Sequence, residues 1–388
     1  MTDVVAAARR LVPRFAERAA RYDRDGTFPV DDFTDLRESG LFGLMVPERL
    51  GGAEAGFGTY ARVAYELARG NGATALVFNM HASVTGALAG VPEALIDALG
   101  VPESFFTARD RILSAAADGA WYAVAMSERG AGSRLSQLST VYSRDGDGWR
   151  VKGAKTFVSG AGHCDGYLVA AHSEADQSTV SQFLVPAGTP GLTVEPTWDS
   201  LGMRATCSHD VHLDLHVPAD ALLGGVEGLA LLVAQIMPHW MVASYAAVYV
   251  GVARSAVDAA VAHVNERKLG HLPAVRARIG RADAAVAAAR LAVEEAARRV
   301  DEAPGDPETN RWVWRAKLLA GTTAAEVAAS MLEAAGTSAT RRGHPLERLY
   351  RDARCGSLQP ATSDVCADWL GVATLGGDPE TDGSAPRW

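Results

Sequence analysis

Hydrophobic positions recur at helical spacing through roughly the first 118 residues. In the opening run, Arg9, Arg10, Arg14, Arg18 and Arg21 take one face and Leu11, Phe15 and Ala19 take the other. Asp31 and Asp32 precede a second helical run, Phe33 to Leu41. Pro47, Gly51, Gly52 and Gly56 to Gly58 mark a loop, after which Thr59 is placed to N-cap a helix over Tyr60 to Arg69. Further helices are expected at Thr74 to Ala89, Pro92 to Leu99 and Pro102 to Leu113. The segment reads as an all-α domain.

At Trp121 the period changes from 3.6 to 2. Short runs rich in β-branched and aromatic residues follow: Trp121 to Met126, Leu138 to Tyr142, Trp149 to Lys152, Lys155 to Val158, Tyr167 to Ala170, Gln182 to Val185 and Cys207 to Leu215. Asp-Gly, Pro-Gly and Gly-Ala-Gly turns separate them. Strands so closely spaced, without helices between them, predict a compact antiparallel β domain over about 119 to 224. From Gly225 the helical period returns in three long Ala-rich runs, Leu229 to Lys268, Leu272 to Asp301 and Thr309 to Ala335. Long antiparallel helices with short turns predict a C-terminal bundle over about 225 to 375, whose broad apolar faces suit a homo-oligomer. Residues 376 to 388 read as a flexible tail.

Composition narrows the function. Thirty-seven Lys and Arg against 46 Asp and Glu give a formal charge of −9, which disfavours nucleic acid as a partner. Four cysteines without a CxxC pair make neither a disulfide framework nor a zinc site, and a reducing cytoplasm is expected. The Arg-interrupted N-terminus lacks the apolar core of a signal peptide. The most apolar stretch, Gly228 to Ala260, is broken by Gln235, Pro238, His239 and Ser244 and reads as core, not as a membrane span.

Motif-level chemistry is sparse. Gly130-Ala-Gly132-Ser133 and Gly160-Ala-Gly162 lack the GxGxxG spacing, and no helix follows to hold a pyrophosphate, so a Rossmann site is not expected. The first loop could still cradle phosphate as a nest, or be a plain turn. His212 and His216 share one strand face with Asp210 and Asp214, as on a solvated polar face. No HExxH and no GxSxG is present, and no metal is expected.

Four strings in order change this picture. Met126-Ser-Glu-Arg-Gly-Ala-Gly-Ser133 resembles the T-E-P-G-A-G-S segment of the acyl-CoA dehydrogenase family, and Val151 to Ser159 resembles its N-G-x-K-x-W-I-T segment. Leu201-Gly-Met-Arg204 resembles L-G-M-R, and Pro345 to Arg354 resembles P-x-E-R-x-x-R-D-A-R. Pro47-Glu-x-x-Gly51-Gly52 fits as well, and Arg267-Lys-Leu-Gly270 is similar to R-x-x-F-G shortened by one residue. The resemblance spans essentially the whole chain. It implies an α+β fold of N-terminal helices, central β-barrel and C-terminal four-helix bundle, with FAD between barrel and bundle and a neighbouring subunit at the adenosine side. By the same resemblance Met126 and Ser127 would contact the flavin ring, and Ser133 the pyrophosphate. Phe157 stands at the family's Trp against the isoalloxazine, and Ser159 at the hydroxyl donor near its N5 edge. Arg267 would meet the pyrophosphate, Gly336 would border the neighbour's dinucleotide, and Thr362 with Asp364 would face the adenine end.

The family's α,β-dehydrogenation of an acyl thioester needs a general base. Its usual Glu position holds Pro360, and the alternative position on the bundle's first long helix holds Met241. Three readings follow. The first is a dehydrogenase of an acyl thioester, CoA- or carrier-bound, passing electrons to an electron-transfer flavoprotein, its base moved to His81, His239 or Asp364. The second is a flavin-dependent monooxygenase on the same fold, fed by a flavin reductase and needing no α-proton base. The third is an inert flavin-binding subunit of a mixed oligomer. Closeness of the first and fourth strings to the dehydrogenase branch favours the first.

Overall fold

The computed structural model describes residues 3–91, 96 and 98–381. Helix α1 (Val4–Asp25) buries Leu11, Phe15, Ala19 and Tyr22, and its arginines pair outward with Glu66, Asp35, Asp32 and Asp31. Helices α2 (Val30–Glu38), α3 (Phe57–Gly70), α4 (Gly72–Ala89) and α5 (Glu103–Ala117) complete the N-terminal layer. The helix expected at Pro92 to Leu99 falls largely outside the described residues. Helix α3 starts two residues before the expected cap: Asp301, far along the chain, accepts hydrogen bonds from Phe57 N (2.6 Å) and Gly58 N (2.9 Å). A carboxylate at a helix N-terminus satisfies orphan amides and complements the dipole, so Thr59 is not needed as a cap.

Seven strands form one sheet in the order β1-β4-β2-β3-β7-β6, with β5 also on β4. They are β1 (Tyr122–Ala125), β2 (Val141–Asp145), β3 (Gly148–Val158), β4 (Gly166–Ser173), β5 (Val180–Pro186), β6 (Leu192–Glu195) and β7 (His209–Pro218). Two of the expected runs join in β3, and β6 follows a Pro-Gly turn that hid it. The purely antiparallel expectation needs correction, because β1–β4 and β2–β4 are parallel. Parallel neighbours require crossovers. The segment between β1 and β2 is therefore a crossover, and within it the Gly-rich loop is a tight turn closed by paired hydrogen bonds between Glu128 and Gly132 (2.8 and 2.9 Å). On β7, Val211, Leu213, Leu215 and Val217 face the core while His212, Asp214 and His216 face water.

The expected single helix from Leu229 is broken into α6 (Leu229–Ile236), α7 (Pro238–Met241) and α8 (Ser244–Glu266). Pro238 lacks the N–H that a continuous helix would use, and it opens α7. The bundle continues with α9 (Pro273–Glu302), α10 (Pro307–Ala335), α11 (Pro345–Arg354) and α12 (Ser363–Thr374). By length and composition α8 could cross a membrane, but most of its apolar window is buried, and it is the central helix of the bundle. Beyond α12, Trp369 Nε1 donates to Glu380 (3.0 Å), tying down the start of the expected tail; residues 382–388 lie outside the described set. One apolar core runs through all three parts, and a smaller one sits beneath α5 and α6 against the barrel.

Candidate functional site

The four strings picked out in the sequence converge. Thr156 N donates to Ser127 O (2.9 Å), which zips the crossover to the end of β3. Gly160 N donates to Thr206 O (2.8 Å), and Met203 N donates to Asp352 Oδ1 (2.6 Å). Gly202 permits that last approach, since a Cβ there would lie 2.2 Å from the Arg351 carbonyl oxygen. Arg351 in turn donates to Leu201 O (2.9 Å) and pairs with Asp23 of α1 (2.6 Å). Burial pushes the Asp352 carboxyl up to about 6 despite Arg348 at 3.7 Å and the Met203 amide.

Along this seam Met126 is buried at the end of β1, Ser127 is half-buried, and Ser133 follows Gly130 and Gly132, both at positive φ with open space where a Cβ would stand. The Ser159 hydroxyl lies 2.9 Å from Ser208, itself 2.7 Å from Thr206, a short hydroxyl chain. Phe157 differs from every other ring in the barrel. Its backbone is left-handed (φ 57°), its ring is 61% exposed, and Trp198 meets it edge-on at 6.0 Å. Trp198 is fixed by bonds to His209 Nδ1 and Met203 O. Holding a bulky residue at positive φ to present its ring outward is unfavourable without a partner, so the platform fits a stacked planar group.

Two residues before Phe157 on β3, Lys155 forms a buried ion pair, Nζ to Glu128 Oε1 at 2.6 Å. Ser139 and Thr140 amides also donate to Glu128. Burial alone would raise the Glu128 carboxyl, but Lys155 and these donors bring it down to about 2. Both members are charged at neutral pH. The pair floors a cavity of about 360 Å³ shared with Arg129, Thr156, Asp210, Glu195 and His212. Arg129, where the family string has Pro, reaches Asp210 (2.6 Å), which also accepts from Thr156 Oγ1 (2.6 Å).

Arg267 and Gly336 both stand at helix C-termini in the bundle. Arg267 caps α8 with an exposed side chain, and Gly336 (φ 78°) caps α10 over open space. His263 of α8 meets His344, the N-cap of α11, at 3.2 Å, and the Ser338 hydroxyl of the Gly336 turn lies 3.4 Å from His263. Because Leu346 N donates to His344 Nδ1, Nε2 of His344 carries the proton and donates to His263. Thr362 N-caps α12 through Val365 N (3.3 Å), and Asp364 is exposed in its first turn. Sequence reasoning missed Trp198, Arg129 and Asp352: their roles depend on long-range pairing that no local pattern encodes.

The base candidates are placed as follows. His81 Nδ1 accepts from Tyr122 N (3.2 Å), so its Nε2–H donates to Phe42 O (2.7 Å), and both nitrogens are committed. Burial pushes it down to about 4. His239 is buried edge-on to Phe57 (5.1 Å) and beside Trp240, and burial pushes it down to about 3. Pro360 is exposed and Met241 half-buried; neither brings a carboxylate.

Family models for the acyl-CoA dehydrogenase N-terminal, middle and C-terminal domains match residues 2–91, 123–215 and 243–362. This chain belongs to the acyl-CoA dehydrogenase family. It is 32% identical over 390 residues to the L-evernosamine nitrososynthase of Micromonospora sp., covering 96% of this chain and 90% of that protein. It is 29% identical over 370 residues to the mitochondrial short-chain specific acyl-CoA dehydrogenase of Bos taurus (90% and 85% covered). Among solved structures, KijD3 in complex with FMN and dTDP-3-amino-2,3,6-trideoxy-4-keto-3-methyl-D-glucose aligns with a TM-score of 0.83 at 28% identity, covering 97% and 94%. Proteins on this fold thus include an acyl-CoA dehydrogenase, a nitrososynthase and an FMN-bound protein.

Proposed function

We propose that this protein is a flavin-dependent monooxygenase that receives its electrons from a separate flavin reductase and oxidises a nitrogen of a nucleotide-linked amino sugar. The observation that carries this reading is the state of the base positions. Pro360 and Met241 stand where the family's carboxylates would be, His81 has both nitrogens committed to backbone groups, and His239 is pushed down to about 3. Of the candidate positions only Asp364 keeps a carboxylate, exposed in the first turn of α12; abstraction of an α-proton next to a thioester then has no buried base among them, whereas oxygen insertion needs none. The nitrososynthase relative and the amino-sugar complex of KijD3 supply the substrate class.

The chain's own residues would hold the cofactor. Phe157 offers the stacking face, Ser127 and Ser159 offer hydroxyls beside it, and the Gly130–Ser133 turn offers amides for phosphate. When bound in reduced form, the flavin supplies two electrons to O₂, so that one oxygen atom goes to substrate and the other leaves as water. FAD is the expected cofactor, with Arg267 and Gly336 of a neighbouring copy at its far end; FMN would do without them.

Purified protein given a flavin reductase, NADH and FAD or FMN should consume O₂ in proportion to oxidised product when dTDP-3-amino-2,3,6-trideoxy-4-keto-3-methyl-D-glucose is added. Anaerobic bleaching of oxidised flavin by butyryl-CoA or a longer acyl thioester, with no reductase present, would instead establish the dehydrogenase.

A further inference from the structure

The Phe157 and Trp198 rings stand at right angles, 6.0 Å apart, and the backbone around them is strained. Among the described residues five other than glycine have left-handed backbone, and three belong to this corner. They are Phe157 (φ 57°), Met203 (φ 54°), whose carbonyl accepts from the Trp198 indole, and Cys207 (φ 44°), two residues before β7 opens at His209. Strain of this kind persists only where the surroundings over-determine it, and it gathers at sites that hold ligands.

The loop that carries Trp198 is clipped to the first two residues of β7. Asp210 N donates to Thr197 Oγ1 (3.1 Å), and Trp198 N donates to His209 Nδ1 (3.1 Å). The second bond has a chemical condition. Nδ1 accepts only while it bears no proton, so the imidazole that holds Trp198 is the neutral tautomer with its proton on Nε2. A proton added at Nδ1 would face the Trp198 N–H, and the bond would be lost. The Thr197 bond carries no such condition.

His209 is half-buried and pairs in the sheet with Val158, the residue after Phe157, so it borders both rings of the corner. The titratable groups that face it are Asp210, itself paired with Arg129 (2.6 Å), and His163, which is stacked on Phe28 (4.2 Å). On the Trp198 loop, Glu195 is paired with His212 and Asp199 with Arg204. Burial pulls the His209 imidazole below its ordinary value, and Asp210 acts the other way.

We infer that His209 is a positioning residue for the Phe157 platform: its neutral imidazole holds Trp198 as the second wall of the seat, and protonation releases that wall. This rests on the flavin reading above and adds to it a residue outside the strings that carry the family resemblance. The imidazole acts through Trp198.

The test follows flavin affinity, by fluorescence titration with FMN and with FAD, at about pH 8 and about pH 5. The parent should bind at least about threefold more weakly at the lower pH, as expected for loss of an aromatic wall. His209→Asn puts an amide oxygen that does not titrate where Nδ1 stands, and should hold the alkaline affinity within about twofold at both pH values. His209→Phe keeps the shape of the ring without the acceptor, and should be at least about threefold weak at both. A second readout needs no flavin. In protein labelled with 5-fluorotryptophan, the Trp198 resonance is identified among the eight tryptophans by its loss in Trp198→Phe. It should shift on acidification in the parent and stay fixed in His209→Asn, which decides the question if His209→Phe does not fold. Superimposable pH profiles of the parent and His209→Asn in either readout would overturn the inference alone. A folded His209→Phe protein with the parent's alkaline affinity would do the same. A parent protein that binds neither flavin would overturn it together with the proposed function.

Discussion

Phe157 holds its ring outward at positive φ, with Trp198 meeting it edge-on. Because the ring is already exposed, Phe157→Ala should leave stability within about 0.5 kcal/mol of the parent. Loss of an aromatic stacking partner worth about 1 kcal/mol should weaken flavin binding roughly fivefold. Titration and thermal melts on the same sample separate the two effects, and an unchanged affinity would remove Phe157 from the site. Asp352 permits a sharper test. Its carboxyl titrates near 6 in the folded protein, chiefly through burial, against about 4 when unfolded. Between those values the folded state binds more protons, so stability from this group declines as pH rises from 4 to 6, by up to ~3 kcal/mol. Asp352→Asn keeps an oxygen for the Met203 amide and cannot titrate. The variant should therefore gain on the parent across that window in urea unfolding. Parallel pH profiles would show that Asp352 is not strained by burial.

At the scale of elements, the N-terminal layer and the bundle are linked by one carboxylate. Asp301, in the last turn of α9, accepts from the first two amide-bearing residues of α3. Asp301→Ala should cost about 1–2 kcal/mol, the usual worth of a good helix cap, and Asp301→Asn distinctly less. A melt of Asp301→Ala indistinguishable from the parent would mean that water replaces the cap. The break at Pro238 has a similar consequence. It turns α7 so that Trp240 packs where α4 carries Gly86, at which a Cβ would lie 2.1 Å from the indole. A single straight helix from Leu229 could not place Trp240 there and also run α8 through the bundle.

For the whole molecule, the choice between FAD and FMN is a question about assembly. Arg267 and Gly336 stand at the ends of α8 and α10, where the proposed arrangement has a neighbouring copy supply them to the far end of FAD. Arg267→Ala should weaken FAD several-fold and leave FMN unchanged, read by paired titrations; equal effects on both would place Arg267 elsewhere. Exposed Leu319, Leu358 and Val365 on the bundle side suit a covered face. The protein is accordingly expected to elute as a dimer or tetramer in size-exclusion chromatography with light scattering, and Leu319→Glu with Leu358→Glu should drive it toward monomer.

Hydrophobic period alone determined the α, β, α order, because burial on one face of a helix or strand must recur at 3.6 or 2 residues whatever the neighbours are. The alternation from Val211 to Val217 and the face of α1 were legible for that reason. Local strings likewise marked four segments that the fold brings together along one seam. What lay beyond the sequence were features made by distant partners. They include the parallel strand pairs, the Asp301 cap, the break before α7, the outward Phe157 braced by Trp198, and the commitment of both His81 nitrogens. Each depends on which groups meet after the chain has folded back on itself. Only the tertiary structure could therefore show that the two histidines proposed in place of the missing glutamate are buried, one of them with both nitrogens committed to the backbone.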